Sequence, residues 1–373
     1  SLGLMPKMSN SAVSNELEIW AKTGVVGQHN RWVDYHKHLT QSTATIVGAK
    51  PKEVVVMNAL TINLHLLMIS FYRPTPRKNK IIIEHGAFPS DQYAVESQIR
   101  FHGYDPNDAL IELRPRKGET CLRTKDIIDT FNQHGDSIAT VIIGSVNYYT
   151  GQAFEIEKIT KAAHNVGARV AIDLAHGAGN LDLDLHNWEV DFAVWCSYKY
   201  LCGGPGSPGG VFVHEKHENW DGPRFNGWWG NKKATRFIMD SKFDPIVGAE
   251  GWQISNAPIL AMACLRSSMA IFSNAGMPAI IKKSKKLTGY LEYLIGSLKD
   301  KIKIITPKDS KQRGAQLSLV VKKNAEEVFN GLNSNHIICD WREPDVIRVA
   351  PVPMYNSFVD VYRFYEIVKD LTK

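Results

Sequence analysis

Asp173-Leu174-Ala175-His176 is followed by Ser197-Tyr198-Lys199-Tyr200 and then by the glycine-rich run Gly203-Gly204-Pro205-Gly206-Ser207-Pro208-Gly209-Gly210. Asp173 lies near the end of an apolar run, Arg169 to Leu174, that reads as a buried strand. A carboxylate there is costly unless a cation or a strong donor meets it. A protonated pyridine nitrogen is such a partner, and the pairing makes a pyridoxal ring a better electron sink. His176 reaches the same ligand if the chain turns. Lys199 follows a second apolar run, Phe192 to Cys196, beside glycines that let the backbone approach a ligand closely. A lysine so placed can form an imine with an aldehyde cofactor. Singly, each element has a plainer explanation: a solvated lysine, a capping aspartate, a flexible loop. The glycine run also lacks the dinucleotide and P-loop spacings. The conjunction points to pyridoxal 5'-phosphate, carried covalently on Lys199.

Further segments suit the same ligand. Asn58-Ala59-Leu60-Thr61 opens a predicted helix to about Ser70, whose free N–H groups and Thr61 hydroxyl suit a phosphate. Phe88-Pro89-Ser90-Asp91 follows the run Ile81–Glu84, where an aromatic can stack on a ring. Trp228-Trp229-Gly230 and Ile254-Ser255-Asn256 fall in loop-like stretches and are not diagnostic alone.

These residues need strands to hold them. From about Pro51 to His214, short β-branched runs alternate with amphipathic stretches: Ile81–Ile83, Leu110–Leu113, Val141–Ile143, Arg169–Leu174, Phe192–Cys196 and Val211–Val213 are the strand candidates. Helical patterns cover Asp91–Phe101, Thr124–His134 and Glu155–Val166. That alternation predicts an α/β fold with a mostly parallel sheet between helices, whose ligands bind beyond the carboxyl ends of the strands. After Asn256 the pattern changes to two long helices, short strands near Ile302–Ile305, Leu317–Val321 and Val346–Val349, and a last helix from Ser357. The expected organisation is an N-terminal segment over 1–50, a large cofactor domain over 51–256 and a smaller α+β domain over 257–373.

Composition narrows the classes further. The 44 Lys and Arg against 38 Asp and Glu, with 44% hydrophobic residues, describe an ordinary globular chain with net charge +6. The densest basic block, Lys282-Lys283-Ser284-Lys285-Lys286, lies in a predicted helix and lacks interleaved aromatics, so no nucleic-acid partner is expected. No apolar run approaches a membrane span, and five scattered cysteines without paired spacing predict neither a metal nor disulfides, in keeping with a cytoplasmic location.

The chain resembles kynureninase, a fold-type I pyridoxal-phosphate enzyme of the aspartate aminotransferase superfamily. The resemblance is carried by Ser1-Leu2-Gly3-Leu4, Met57 to His65, Phe88-Pro89-Ser90-Asp91, Tyr148 to Gln152, Asp173 to His176, Trp195 to Leu201 and Ile347 to Pro353. It implies a seven-stranded large sheet, a homodimer with shared active sites, and hydrolysis of L-kynurenine or its 3-hydroxy form to anthranilate or 3-hydroxyanthranilate plus L-alanine. That reaction belongs to tryptophan breakdown and pyridine nucleotide synthesis. Carried over by motif, Lys199 holds the cofactor and moves protons, Asp173 meets the pyridinium nitrogen, and His176 lies near the phenolic oxygen. Leu60, Thr61, Tyr198, Trp228 and Asn256 take the phosphate, and Phe88 stacks on the ring beside Pro89, Ser90 and Asp91. Arg348 clamps the substrate carboxylate, with Tyr149, Ser1 and Gln28 lining the pocket and Tyr198 cast as a proton relay. Ser1-Leu2-Gly3 resembles the middle of the family's Gly-Asn-Ser-Leu-Gly motif, so an N-terminal arm is expected to precede it.

Three departures bear on recognition of the aniline ring or the lysine turn. Gln28 stands where a histidine is usual, with His29 one place later; Asn231 also replaces a histidine, and Cys202-Gly203 replaces an Asn-Ser or Asn-Ala pair. Rival readings are another enzyme on this fold, a cysteine desulfurase or an aminotransferase, or a non-catalytic interaction module. A desulfurase needs a mobile cysteine in an exposed loop, and intact Lys199 and Asp173 argue against a mere module.

Overall fold

Continuous runs such as Ile81-Ile82-Ile83 and Val141-Ile142-Ile143 send alternate side chains to opposite faces of a sheet, so both faces must be covered. The computed structural model describes residues 2–373 and bears out that inference. Seven strands form the large sheet in the order β1-β7-β6-β5-β4-β2-β3: β1 Val54–Val56, β2 Lys80–Glu84, β3 Leu110–Leu113, β4 Ile138–Gly144, β5 Arg169–Asp173, β6 Phe192–Trp195 and β7 Gly210–Val213. β7 alone runs against its neighbours; the pairs from β6 through β3 are all parallel. Ile82, Val141, Ile143, Val170 and Ile172 face one core, and Ile81, Ile83, Ile142 and Ala171 face the other. The helix Leu60–Phe71, apolar nearly all round, is buried in the second core. The helices Thr124–His134 and Ile156–Asn165 put Ile127, Phe131, Ile159 and Ala163 into the first.

The second sheet has four antiparallel strands in the order β10-β11-β9-β8, comprising β8 Ile302–Ile304, β9 Leu317–Val321, β10 Asp340–Arg342 and β11 Val346–Val349. Its core gathers Leu317, Leu319 and Ile347 from the strands with Leu287 and Leu291 from helix Met277–Gly296 and Phe364 from helix Phe358–Leu371. A capping box fixes the start of that last helix: the Ser357 N–H donates to Asp360 Oδ2 at 2.7 Å, and Ser357 Oγ accepts from the Asp360 N–H. The helix Ile259–Ala275 packs Met262, Leu265, Met269 and Phe272 into the first core of the large sheet. Among the described residues, no single helix is long and apolar enough to cross a membrane.

Parallel direction has one consequence for function. β2, β4, β5 and β6 all end on the same side of the sheet, at Glu84, Gly144, Asp173 and Trp195, and the chain leaving each end builds one recess.

Candidate active site

The recess is lined by Leu60, Thr61, Phe88, Ser90 and Asp91 from one side, and by Asp173, His176, Tyr198 and Lys199 from the other. Each comes from a strand end or helix start. Asp173, buried at the end of β5, accepts the Ala175 N–H at 2.6 Å, which turns the chain so that His176 enters the same space. His176 is buried and its Nδ1 has no hydrogen-bond partner. Burial, reinforced by Lys199 and Arg348, drives its pKa well below that of an ordinary histidine, so the ring is neutral. Lys199 lies four residues beyond β6, its Nζ 5.6 Å from the centre of the Phe88 ring. Phe88, 44% exposed, is an uncovered aromatic at the mouth of a polar recess.

The helix at Leu60 starts without a side-chain cap, so its first N–H groups stay open to a ligand, and the Thr61 and Ser90 hydroxyls share a hydrogen bond of 2.7 Å beside them. Tyr198 is 39% exposed, yet the desolvation of its hydroxyl in the recess pushes it up to about 12. At neutral pH it is a proton donor, not a base.

Some residues were missed by sequence reasoning. Glu84, at the end of β2, is fully buried in this recess and receives the Gly144 N–H at 3.2 Å. Burial, with repulsion from Asp173, pushes its carboxyl up to about 7. A side chain at Gly144 would place its Cβ 2.9 Å from Glu84 Oε1, so any larger residue there would push the Glu84 carboxyl aside. Its signal, an acid closing an apolar run, is the same one that marked Asp173. Tyr148, and not its neighbour Tyr149, lines the recess. Asn147 Oδ1 accepts the N–H groups of Tyr149 and Thr150 at 3.1 and 3.0 Å and shapes the turn that decides between them.

The small sheet holds this turn. The Tyr148 carbonyl accepts from Arg348 at 2.7 Å and from Gln316 at 3.0 Å, the Tyr149 carbonyl from Ser318 Oγ at 2.5 Å, and the Thr150 carbonyl from Thr306 at 2.6 Å. Arg348 thus borders the recess behind Tyr148, paired with Asp340, whose Oδ2 also meets Arg342 at 3.0 Å. Pro89 is the first residue of helix Pro89–Phe101 and sets its entry. Gly3 donates its N–H to the Tyr198 carbonyl at 3.1 Å, and a Cβ there would lie 2.6 Å from the Lys199 carbonyl. Ser1 lies outside the described residues.

Gln28, Trp228 and Asn256 are not in this recess. They line a second one, of about 240 Å³, with Trp229, Phe237 and Ser255, and the two recesses share no residue. All five cysteines are described, each buried or half-buried, and burial pushes the Cys196 and Cys202 thiols up; neither is an exposed nucleophile.

Comparison with known proteins now bears on the site. Residues 280–368 match the sequence profile described as the kynureninase C-terminal domain. The kynureninase of Myxococcus xanthus is 56% identical, covering 99% of this chain and 88% of its own; that of Koribacter versatilis is 53% identical, covering 98% and 88%. This chain belongs to the kynureninase family. Solved structures share the fold of this chain. A cysteine desulfurase from Thermococcus onnurineus NA1 superposes with a TM-score of 0.81 at 17% identity, over 100% of this chain and 92% of that one. The cystine C-S lyase C-DES, in complex with cysteine persulfide, gives 0.82 at 16% identity, over 99% and 95%. At these identities the likeness concerns the fold alone, and the expected α/β fold-type I class is borne out.

Proposed function

We propose that this chain hydrolyses the Cβ–Cγ bond of L-kynurenine or 3-hydroxy-L-kynurenine, releasing L-alanine with anthranilate or 3-hydroxyanthranilate. The reading is carried by Lys199, Asp173 and His176 converging in one recess of a kynureninase-family chain. The recess fits pyridoxal 5'-phosphate: a buried acid, a neutral histidine with an unpartnered nitrogen, an open helix start and an uncovered aromatic each answer a different part of that molecule. When bound, the cofactor supplies an electrophilic carbon and a cationic ring that withdraws electrons from the substrate's α-carbon.

Lys199 Nζ would hold the group covalently and, once displaced by the substrate amine, move the proton at Cα. Asp173 would keep the pyridinium N–H in place, with Asp91 beside it. Leu60 and Thr61 N–H groups, with the Thr61 and Ser90 hydroxyls, would take the phosphate. Tyr198, protonated at neutral pH, would donate to that phosphate or return a proton to the product. Arg348 would bind the substrate carboxylate with its planar fork after exchanging Asp340 for it. A water molecule must reach the γ-carbonyl, and the open mouth beside Phe88 admits one.

Support for a homodimer comes from the divided site. The exposed Trp228, with Asn256 and Gln28, forms a pocket remote from the phosphate cradle, and a second copy would bring its own Trp228 and Asn256 to complete the recess. Five unpaired thiols fit a cytoplasmic location.

The test is an assay of cofactor-loaded protein on both substrates, following aminobenzoate fluorescence and alanine. Cleavage of at least one is expected; cleavage of neither defeats the reading. For the dimer, Lys199→Ala and Asn256→Ala proteins are mixed after separate purification. Subunit exchange should restore roughly a quarter of wild-type activity, from hybrids with one intact site; no recovery would place Asn256 in its own subunit's site.

A further inference from the structure

At the opposite, amino-terminal end of the large sheet lies a cavity of about 500 Å³ that plays no part in the chemistry above. Four cations converge on it from four elements: Arg73 just past helix Leu60–Phe71, Lys78 ahead of β2, Arg169 at the start of β5 and Lys216 after β7. A single carboxylate, Asp191, faces them, leaving a surplus of three positive charges.

Asp191 cannot absorb that surplus. It is buried, and it already accepts the Val170 N–H at 2.8 Å, His164 Nε2 at 2.8 Å and His217 Nε2 at 2.7 Å, with Lys216 Nζ at 3.1 Å. Those four donors fill the roughly four lone-pair sites of a carboxylate. Arg169 stands 3.6 Å from it, beyond a hydrogen bond. His217 gives its Nε2 proton to Asp191, so that nitrogen has no lone pair for Arg169, 3.4 Å away. The Arg169 guanidinium is nonetheless fixed, lying over Phe71 at 5.6 Å and Trp220 at 5.5 Å. Its N–H edge is therefore held in place with its donors unspent. Lys78 donates to the Gly167 carbonyl and Lys216 to the Glu189 carbonyl, which leaves each ammonium further protons, and exposed Arg73 has only a 3.4 Å contact to the Ile69 carbonyl.

We propose that this cavity is a binding site for a small multivalent oxyanion, of the diphosphate class. Phe71, the one Phe, Tyr or Trp in the lining, is fully buried, so recognition would rest on charge and N–H donors. The site is separate from the phosphate cradle at Leu60 and Thr61: Arg169 and Asp173 are the two ends of β5, about 13 Å apart at the usual strand rise.

The experiment is calorimetric titration of inorganic pyrophosphate into the cofactor-loaded protein, whose cradle is already filled, at ionic strength matched with sodium chloride. Saturable one-to-one binding is expected. In the Arg73→Ala/Lys78→Ala double variant, whose side chains lie outside the catalytic recess, affinity should fall at least about tenfold, with turnover unchanged. Absence of saturable heat would overturn the proposal. So would equal affinity in the double variant, which would locate the anion elsewhere. As a further control, the Lys282→Ala/Lys286→Ala variant, altered on a distant helix, should bind as wild type; an equal loss there would reduce the effect to general charge and also overturn the proposal.

Discussion

At the amino end of the large sheet, Asp191 is ringed by His164, His217, Lys216 and the Val170 N–H, while at the carboxyl end Glu84, Asp91 and Asp173 converge with the Lys199 ammonium in the same recess. Both ends bury carboxyl groups at or beside strand termini, yet the outcomes are opposite. Burial alone would raise the pKa of Asp191, but its two histidine hydrogen bonds, Lys216 and the backbone donor outweigh it and hold the group below the usual carboxylate range. At the other end, burial and mutual repulsion dominate: Asp91 is pushed well up by its own burial and by Asp173, and Glu84 rises to about 7. A carboxylate whose acceptor sites are all filled by protein donors is structural. A cluster of acids short of cations is prepared for a cationic ligand, and the pyridinium ring of the cofactor is that ligand's chemistry.

Removing the lysine is the harshest test of the carboxyl end. Lys199→Ala should lower turnover by about 10⁴-fold and abolish the visible absorbance of bound cofactor; retained absorbance with full activity would dissolve the contrast. At the amino end, Asp191→Asn should cost about 3 kcal/mol in urea unfolding while leaving KM unchanged, because its cations lose their anion far from the substrate. Glu84 gives a pH test with a definite sign. Its folded pKa is raised, so its contribution to stability is present below the ordinary glutamate value and is lost as pH rises through about 7. The cofactor-free protein should therefore lose about 2 kcal/mol between pH 5 and 8 from this group, and Glu84→Gln should flatten that slope in urea titrations at both pH values. Asp191, depressed, should show no slope there. The smallest effect concerns the anion side of the carboxyl end. Thr61→Ala removes one hydroxyl donor and should weaken cofactor binding by about 1 kcal/mol, read as a few-fold rise in the dissociation constant.

Much of this was legible in the sequence because it rests on local rules. Apolar runs placed β3, β9 and β11 at their observed bounds, and an acid at the end of one run and a lysine shortly after another marked Asp173 and Lys199. Other features depend on geometry that spacing does not encode. The reversed direction of β7 leaves no trace in its apolar run, Gly210–Val213. β10, three half-buried residues with charges at either end, has no hydrophobic period to announce it. Tyr148 and Tyr149 are indistinguishable as neighbours until Asn147 turns the chain. Trp228 opens a single 3-10 turn and Asn256 lies on a loop, so nothing in their sequence context placed them in a pocket apart from Thr61 and Lys199.

The small sheet and its flanks hold the carbonyls of the Tyr148–Thr150 turn through Arg348, Gln316, Ser318 and Thr306, while Arg342 and Arg348 also lie over the Tyr148 ring. The carbonyl contacts do not depend on which side chains the turn carries; only the arginine contacts with the Tyr148 ring do. The wall of the recess can therefore be repainted, residue by residue, while its frame stays put. A substitution at position 148 is accordingly expected to alter the wall of the recess without refolding the turn that presents it.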